Sequence, residues 1–284
     1  MPVYSDIQIV TVAYNSTGVM GDMLASLPEG VPVVIVDNAS TDHAALHALA
    51  LRYGAQVVTN DTNRGFGVAC NIGAAVGDST YLLFLNPDAQ LGTGALDQLR
   101  AALRDHPQAS AASPRVLDGR GRPAFRRRSR LLPKSAHWSG PAPTVDTEMP
   151  LLNGAAMFVP RAYFDGIGGF DEAIFLYHED DDLSVRLTRR YGPIRHVHSA
   201  TVTHSEGNST PRTPATAAFK ARHMTQSAIY TMRKHDRPMA RMRVIGHAIL
   251  QLASPLTLLC ARKRAKAVGF LKGALAAGNV EPKQ

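Results

Sequence analysis

Cysteine is scarce in this chain. Its 284 residues hold only Cys70 and Cys260, far apart and not in a CxxC pair. That argues against a disulfide framework or a thiolate zinc site and suits a reducing compartment. No G-x-x-x-x-G-K-[ST] occurs, and "GFGVAC" (65–70) misses G-x-G-x-x-G because Cys70 stands at the last position. A P-loop or dinucleotide-binding enzyme is therefore disfavoured. Zinc fingers and aromatic-rich basic strand motifs are missing too, so a nucleic-acid partner is not expected. The N-terminal run "MPVYSDIQIVTVAYN" has neither a basic region nor a long apolar one, so no signal peptide is expected. There is no internal repeat. Acids are almost lacking near the C-terminus: residues 212–284 carry 14 Lys+Arg against 2 Asp+Glu, whereas residues 1–211 carry 17 against 21. The net charge of +8 thus belongs to the tail, with a second basic knot at "RPAFRRRSR" (122–130). Such asymmetry points to an anionic partner.

The residues present are 45% hydrophobic, enough for one large α/β domain or two small ones. Apolar runs at 7–14, 31–38, 55–60 and 79–88 read as strands. Between and after them, "ASTDHAALHALALRYG", "GFGVACNIGAAVG" and "TGALDQLRAALRDHP" read as helices. This alternation predicts an α/β fold with a mostly parallel central sheet flanked by helices. Residues 114–150, rich in Pro, Arg and Gly, read as a long loop. Residues 196–204 alternate like a strand, and the chain from about Thr213 is helical and basic. We place a catalytic domain over 1–211 and a basic helical C-terminal extension over 212–284.

In a parallel sheet, ligands gather outside the carboxyl ends of the strands. Tyr14-Asn15, Asp37-Asn38 and Asn86-Pro87-Asp88 close three of the predicted strands. Asp and Asn are also common turn formers, so each alone says little; together they outline one crevice. Arg64 and the amides that follow it are suited to an anion at a helix start, or simply to a tight helix entry. "FLYHEDDDLSVRL" packs Glu179, Asp180, Asp181 and Asp182 into the first turn of a predicted helix, where the helix dipole favours acids. Asp182 is placed to pair with Arg186 at i,i+4, and Asp181 reads as a solvated acid. Carboxylates led in by Phe170, Phe175 and Tyr177 suit a general base, a metal ligand or hydrogen bonds to sugar hydroxyls. His196, His198 and His204 follow, and His204 precedes the polar loop "SEGNST". One Asp, one His and diphosphate oxygens would suit Mg²⁺ or Mn²⁺.

Taken in order, "VTVAYNS", "VVIVDNASTD", "NRGFGVACNIGA", "YLLFLNPDA", "LNGAAMFVPRAYFDGIGGFDEAIFLYHEDDDLSVRL" and "HSEGNST" resemble glycosyltransferase family 2, and within it the rhamnosyltransferase-like branch. The resemblance spans roughly residues 6–210. It implies a GT-A fold and an inverting, divalent-metal-dependent transfer from a nucleotide sugar. Tyr14, Asn15, Asp37 and Asn38 match nucleoside-binding positions; Arg64 and Asn71 match positions near the donor. Asn86-Pro87-Asp88 matches the family's Asp-x-Asp element, with Asn86 where many relatives carry Asp. Asp88 and His204 match its metal ligands. Glu179-Asp180 matches the pair that carries the catalytic base, for which we favour Asp180. Gly169, Phe170 and Asp171 match the loop shaping the acceptor side. The resemblance also implies a donor such as dTDP-rhamnose, a polyprenyl-diphosphate-linked saccharide as acceptor, and a role in cell-wall or surface polysaccharide synthesis.

The apolar run 244–261, flanked by "RMR" and "RKRAK", contains Pro255 and falls short of the ~20 residues a spanning helix needs. It reads as an amphipathic helix on an anionic membrane surface, making the enzyme peripheral on the inner, cytoplasmic face of the plasma membrane. The alternative is a helical hairpin packed on the catalytic domain or in a homodimer. Two functional alternatives also stay open: another donor (a UDP-hexose or a furanose), or a non-catalytic basic binding protein.

Overall fold

A computed structural model describes residues 3–205, 213–252, 257 and 260–277. Strands β1 (Ile7–Ala13), β2 (Val33–Asp37), β3 (Gln56–Thr59) and β4 (Tyr81–Leu85) are joined through helices α1 (Thr17–Ala25), α2 (His43–Arg52) and α3 (Phe66–Ala74). They pair in parallel in the order β3-β2-β1-β4. β1 and β2 are buried along their whole length because helices cover both faces of the sheet. Side chains on β1 alternate between two cores. Ile7 and Ile9 pack with Met20, Met23, Ile35 and Leu46. Val10 and Val12 pack on the other face with Val36, Cys70 and Phe84.

Beyond β4 the sheet is mixed rather than mostly parallel. After β5 (Ala89–Leu91) and α4 (Ala95–Asp105) come β6 (Ala111–Asp118), β7 (Thr147–Met149), β8 (Ala156–Pro160), α5 (Arg161–Gly166), α6 (Glu179–Tyr191) and β9 (Ile194–His204). β8 runs antiparallel to both β4 and β6, β6 runs parallel to β9, and β5 and β7 run antiparallel to β9. The expected loop 114–150 therefore contains most of β6 and the short strand β7. Their pairing with β9 comes from far along the chain, where no local pattern announces it.

Helices α7 (Pro214–Lys234), α8 (Ala240–Leu252) and α9 (Ala261–Ala276) form the extension. Thr213 caps α7 by accepting from the Thr216 amide, and Pro214 stands where a helix tolerates proline. A Cβ on Gly269 or Gly273 would lie 2.3 Å from the Ala218 carbonyl oxygen or 2.4 Å from that of Arg222, so these glycines let α9 lie directly against the α7 backbone. The apolar run expected over 244–261 is not one continuous helix. Its first part lies in α8, Ala261 opens α9, and residues 253–256, 258 and 259 lie outside the described residues. Among the described residues, no helix is long and apolar enough to cross a membrane.

Candidate active site

Asp37 ends β2 and is fully buried. Its Oδ1 accepts from the Ser40 amide at 2.9 Å, while Oδ2 is buried with no partner among the described residues. A buried acceptor of this kind is costly unless a ligand satisfies it. Asn15, with φ of 53°, accepts through Oδ1 from the Thr41 amide (2.7 Å) and hydroxyl (2.9 Å). It thereby ties the end of β1 to the loop after β2. The Tyr14 ring is 41% exposed, so it offers a face to a ligand.

Asn38 departs from the expected ligand role. Its amide donates to Asn63 Oδ1 (3.0 Å) and the Gly65 carbonyl (3.2 Å). Its Oδ1 accepts from Asn60 (3.0 Å) and from the Arg64 amide (3.0 Å). All of its bonding capacity is spent on shaping the loop that presents the exposed Arg64. Asn71 is also engaged inside the protein: it donates to the Phe170 carbonyl (2.9 Å) and accepts from the Phe170 amide (2.8 Å). It acts as a clamp on the segment before the acids.

The acceptor-side trio is placed differently from expectation too. Phe170 is 1% exposed and sits among Phe66, Phe84 and Phe164. Gly169 is buried with φ of 68°. Asp171 accepts from Tyr230 (3.0 Å) and Lys234 (2.5 Å), both on α7. Phe170 is drawn into the core by its apolar area, and Asp171 is held by the Lys234 cation. Further along, the Phe66 amide donates to the Phe175 carbonyl at 3.1 Å. A Cβ on Gly65 (φ of 84°) would lie 2.3 Å from that carbonyl oxygen, so only glycine permits this approach. The donor-side loop and the segment leading to the acids are thus sewn together.

Asn86-Pro87-Asp88 follows β4. Pairing of β5 with β9 sets Ala89 opposite His204 and so brings Asp88 to His204. His204 Nε2 lies 3.1 Å from Asp88 Oδ1 and 3.4 Å from Asn86 Nδ2. Hard oxygen and imidazole donors converge here, a set that fits Mg²⁺ or Mn²⁺. Among the described residues no third His, Cys, Asp or Glu joins them, so a cation here would draw further ligands from diphosphate or water. Lys220 of α7 is one residue the sequence did not reveal. Burial lowers its pKa while the charge of Asp88 raises it, which places the ammonium in the field of the same site.

Tyr177 and His178 take positive φ (67° and 69°), a costly turn that swings the chain into α6. The four acids then separate by environment. Asp182 is fully buried and bound by Arg186 Nε (2.7 Å), Lys234 (2.9 Å) and His235 Nε2 (2.8 Å). Burial opposes its ionisation, but His235, Arg186 and Lys234 outweigh it and hold the carboxyl far below the usual range. The expected pair with Arg186 is present, as part of a larger cluster. Asp181 is not solvated as expected: it is 2% exposed and binds Arg126 (2.5 Å) and Ser129 Oγ (2.8 Å). Despite burial, His178, Arg126 and Ser129 keep its pKa low.

Glu179 and Asp180 go the other way. Glu179 Oε2 is buried without a partner among the described residues. Burial, then the Asp180 charge, pushes its carboxyl up to about 8. Asp180 is also raised by burial, but Arg126 NH1, 3.5 Å from its Oδ2, pulls it back. Burial thus favours a proton on Glu179, while Arg126 draws Asp180 back toward its charged form. Arg126 is the second residue that sequence reasoning missed. The basic knot at 122–130 was visible, but nothing local tied it to acids more than fifty residues away.

The glycosyl transferase family 2 profile matches residues 8–164. An N-acetylglucosaminyl-diphospho-decaprenol L-rhamnosyltransferase of Mycobacterium tuberculosis is 30% identical over 261 residues, covering 80% of this chain and 84% of that one. Among solved structures, a mannosyltransferase of Pyrobaculum calidifontis in complex with GDP-Man and Mn²⁺ is similar at a TM-score of 0.58 and 19% identity, covering 98% of this chain and 78% of that one. S. aureus TarS 1-349 is similar at a TM-score of 0.56 and 15% identity, covering 96% and 92%. These two establish the GT-A fold. The profile spans more than half of the chain and the mycobacterial relative most of it: the chain belongs to glycosyltransferase family 2, on its rhamnosyltransferase-like branch, and is a glycosyltransferase.

Proposed function

We propose that this enzyme transfers rhamnose from dTDP-rhamnose, with inversion, onto a saccharide carried by a polyprenyl diphosphate, in cell-wall or surface polysaccharide synthesis. The observation that carries the chemistry is the acid pair at the start of α6: Asp180 Oδ2 lies 3.5 Å from Arg126 NH1, and Glu179 Oε2 is buried without a partner among the described residues. The rhamnosyl group and the lipid-diphosphate acceptor are taken from the similar mycobacterial rhamnosyltransferase.

On this reading Asp37 Oδ2 accepts from the pyrimidine imide N–H, and Tyr14 packs its exposed ring near the base. Arg64 and Lys220 balance diphosphate charge. Asp88 and His204 would hold a divalent cation, which when bound neutralises charge building on the leaving group. Asp180 takes the proton of the acceptor hydroxyl as that oxygen attacks the anomeric carbon. The bond from that carbon to the diphosphate oxygen breaks on the opposite face, and its electron pair leaves with the diphosphate. Glu179, as a neutral acid, donates a hydrogen bond that orients the acceptor or the base.

The membrane-facing surface on this reading is α8. It exposes Met242, Ile249 and Leu250 beside Arg241 and Arg243, and α9 opens with the exposed Arg262, Lys263 and Arg264. Apolar side chains rimmed by cations suit an anionic leaflet.

A panel of labelled nucleotide sugars, offered with a synthetic lipid-diphosphate GlcNAc acceptor, tests the reading. Rhamnose from dTDP-rhamnose is expected in the lipid product. Transfer from UDP-sugars with none from dTDP-rhamnose would sink the donor assignment.

A further inference from the structure

The arginine-rich loop between β6 and β7 has a position that the chemistry so far uses only through Arg126. Arg126, Arg127, Arg128 and Arg130 stand nearly in succession. The loop is fixed rather than loose. The Trp138 amide donates to the Arg127 carbonyl (3.0 Å), Trp138 packs edge-on against Phe125, and the Arg127 guanidinium donates to the Gly140 carbonyl. One end of the loop touches the proposed base: Arg126 reaches Asp180 and Asp181, and Ser129 Oγ donates to Asp181. Its other end touches the root of α8. Arg237 Nε donates to the Arg130 carbonyl (3.2 Å), and Leu131 packs in one cluster with Ala240 and Val244. The cavity beneath the loop, lined by Arg115, Arg126 and His196 among others, holds no carboxylate.

The loop therefore runs from the proposed base, reached by Arg126, to the root of α8, and α8 exposes Met242, Ile249 and Leu250. A lipid-linked saccharide has the same order: reactive hydroxyl, diphosphate, apolar chain. We infer that Arg128 and Arg130, with Arg127, form the subsite for the acceptor's diphosphate, next to the base and on the path to α8. This rests on the lipid-diphosphate acceptor proposed above. Guanidinium groups suit the role because they grip phosphate oxygens in pairs, and Arg126 is left to the acids. Anionic headgroups share this chemistry, so the test must separate the two.

Arg128 and Arg130 are exposed, so truncating them leaves the core intact. The double variant Arg128→Ala/Arg130→Ala, in the full chain, is compared with wild type for equilibrium binding of a GlcNAc-diphospho-prenol in neutral detergent, without donor. A matching GlcNAc prenyl glycoside lacking the diphosphate serves as the control. The subsite predicts binding weakened about tenfold or more for the diphosphate ligand and unchanged for the glycoside. Equal binding by wild type and variant overturns it. So does a defect that shows only on anionic vesicles, which would make the loop a headgroup contact. Because binding is read without turnover, a wild type that binds the diphosphate ligand but transfers no sugar would refute the proposed function and leave the subsite standing.

Discussion

Glu179 and Asp180 are neighbours in the chain, yet Asp180 meets Arg126 at 3.5 Å while Glu179 Oε2 is buried without a partner among the described residues. The ordinary carboxyl value of 4.5 applies to Glu179 in the unfolded chain, against about 8 in the fold. Between those values the folded state holds the extra proton. This group's contribution to stability is therefore full below about pH 4.5 and is lost as pH rises through about 8. Asp181 and Asp182 have lowered values, so their contributions are lost only as pH falls, outside this window. Thermal melts of wild type and Glu179→Gln from pH 5 to pH 9 check this. Wild type is expected to lose ground to the variant as pH rises, and Asp180, also raised, contributes a slope of the same sign to both proteins. A pH-independent difference between the two would refute the protonated Glu179. The sequence placed these acids in the first turn of a helix, led in by Phe170, Phe175 and Tyr177. It could not show which was solvated, since Asp181 is buried by a loop from another part of the chain.

At the scale of elements, α7 holds the catalytic layer together. Lys234 bridges Asp171 and Asp182, His235 follows at Asp182, and Ser227 Oγ donates to the Leu176 carbonyl (2.9 Å). Phe219 and His223 cover Phe175 on the same segment. The α6 acids are thus clamped from the C-terminal side. Lys234→Met is expected to cost about 1–3 kcal/mol in urea unfolding, less than a buried pair with no other partner, because Arg186 and His235 remain. A chain ending at residue 211 would lose Tyr230, Lys234 and His235 together and is expected not to fold cooperatively. An unchanged urea midpoint for that fragment would contradict the clamp. The basic composition after residue 211 was legible, but its docking was not. The partners of Lys234 lie 63 and 52 residues away, and helical periodicity does not say what a helix covers.

Across the whole molecule, legibility follows contact range. β1, β2 and β4 were plain because parallel strands buried on both faces read as continuous apolar runs. β5 and β7 were hidden because strands of three residues carry no period. Asp37, Asp88 and His204 could be picked out as candidates because strand ends and motif order mark them. The bonds that Asn38, Asn71 and Arg126 make within the protein were not legible, because they form only once loops distant in sequence meet. On the proposed reading Asp180 is the base of a sugar transfer whose donor is held elsewhere, at the strand ends. The most direct measurement is Asp180→Asn with dTDP-rhamnose and a GlcNAc-diphospho-lipid acceptor, reading transfer and donor binding in the same preparation. Transfer is expected to fall by about 10²–10⁴-fold with donor affinity retained; transfer near the wild-type rate would contradict the account.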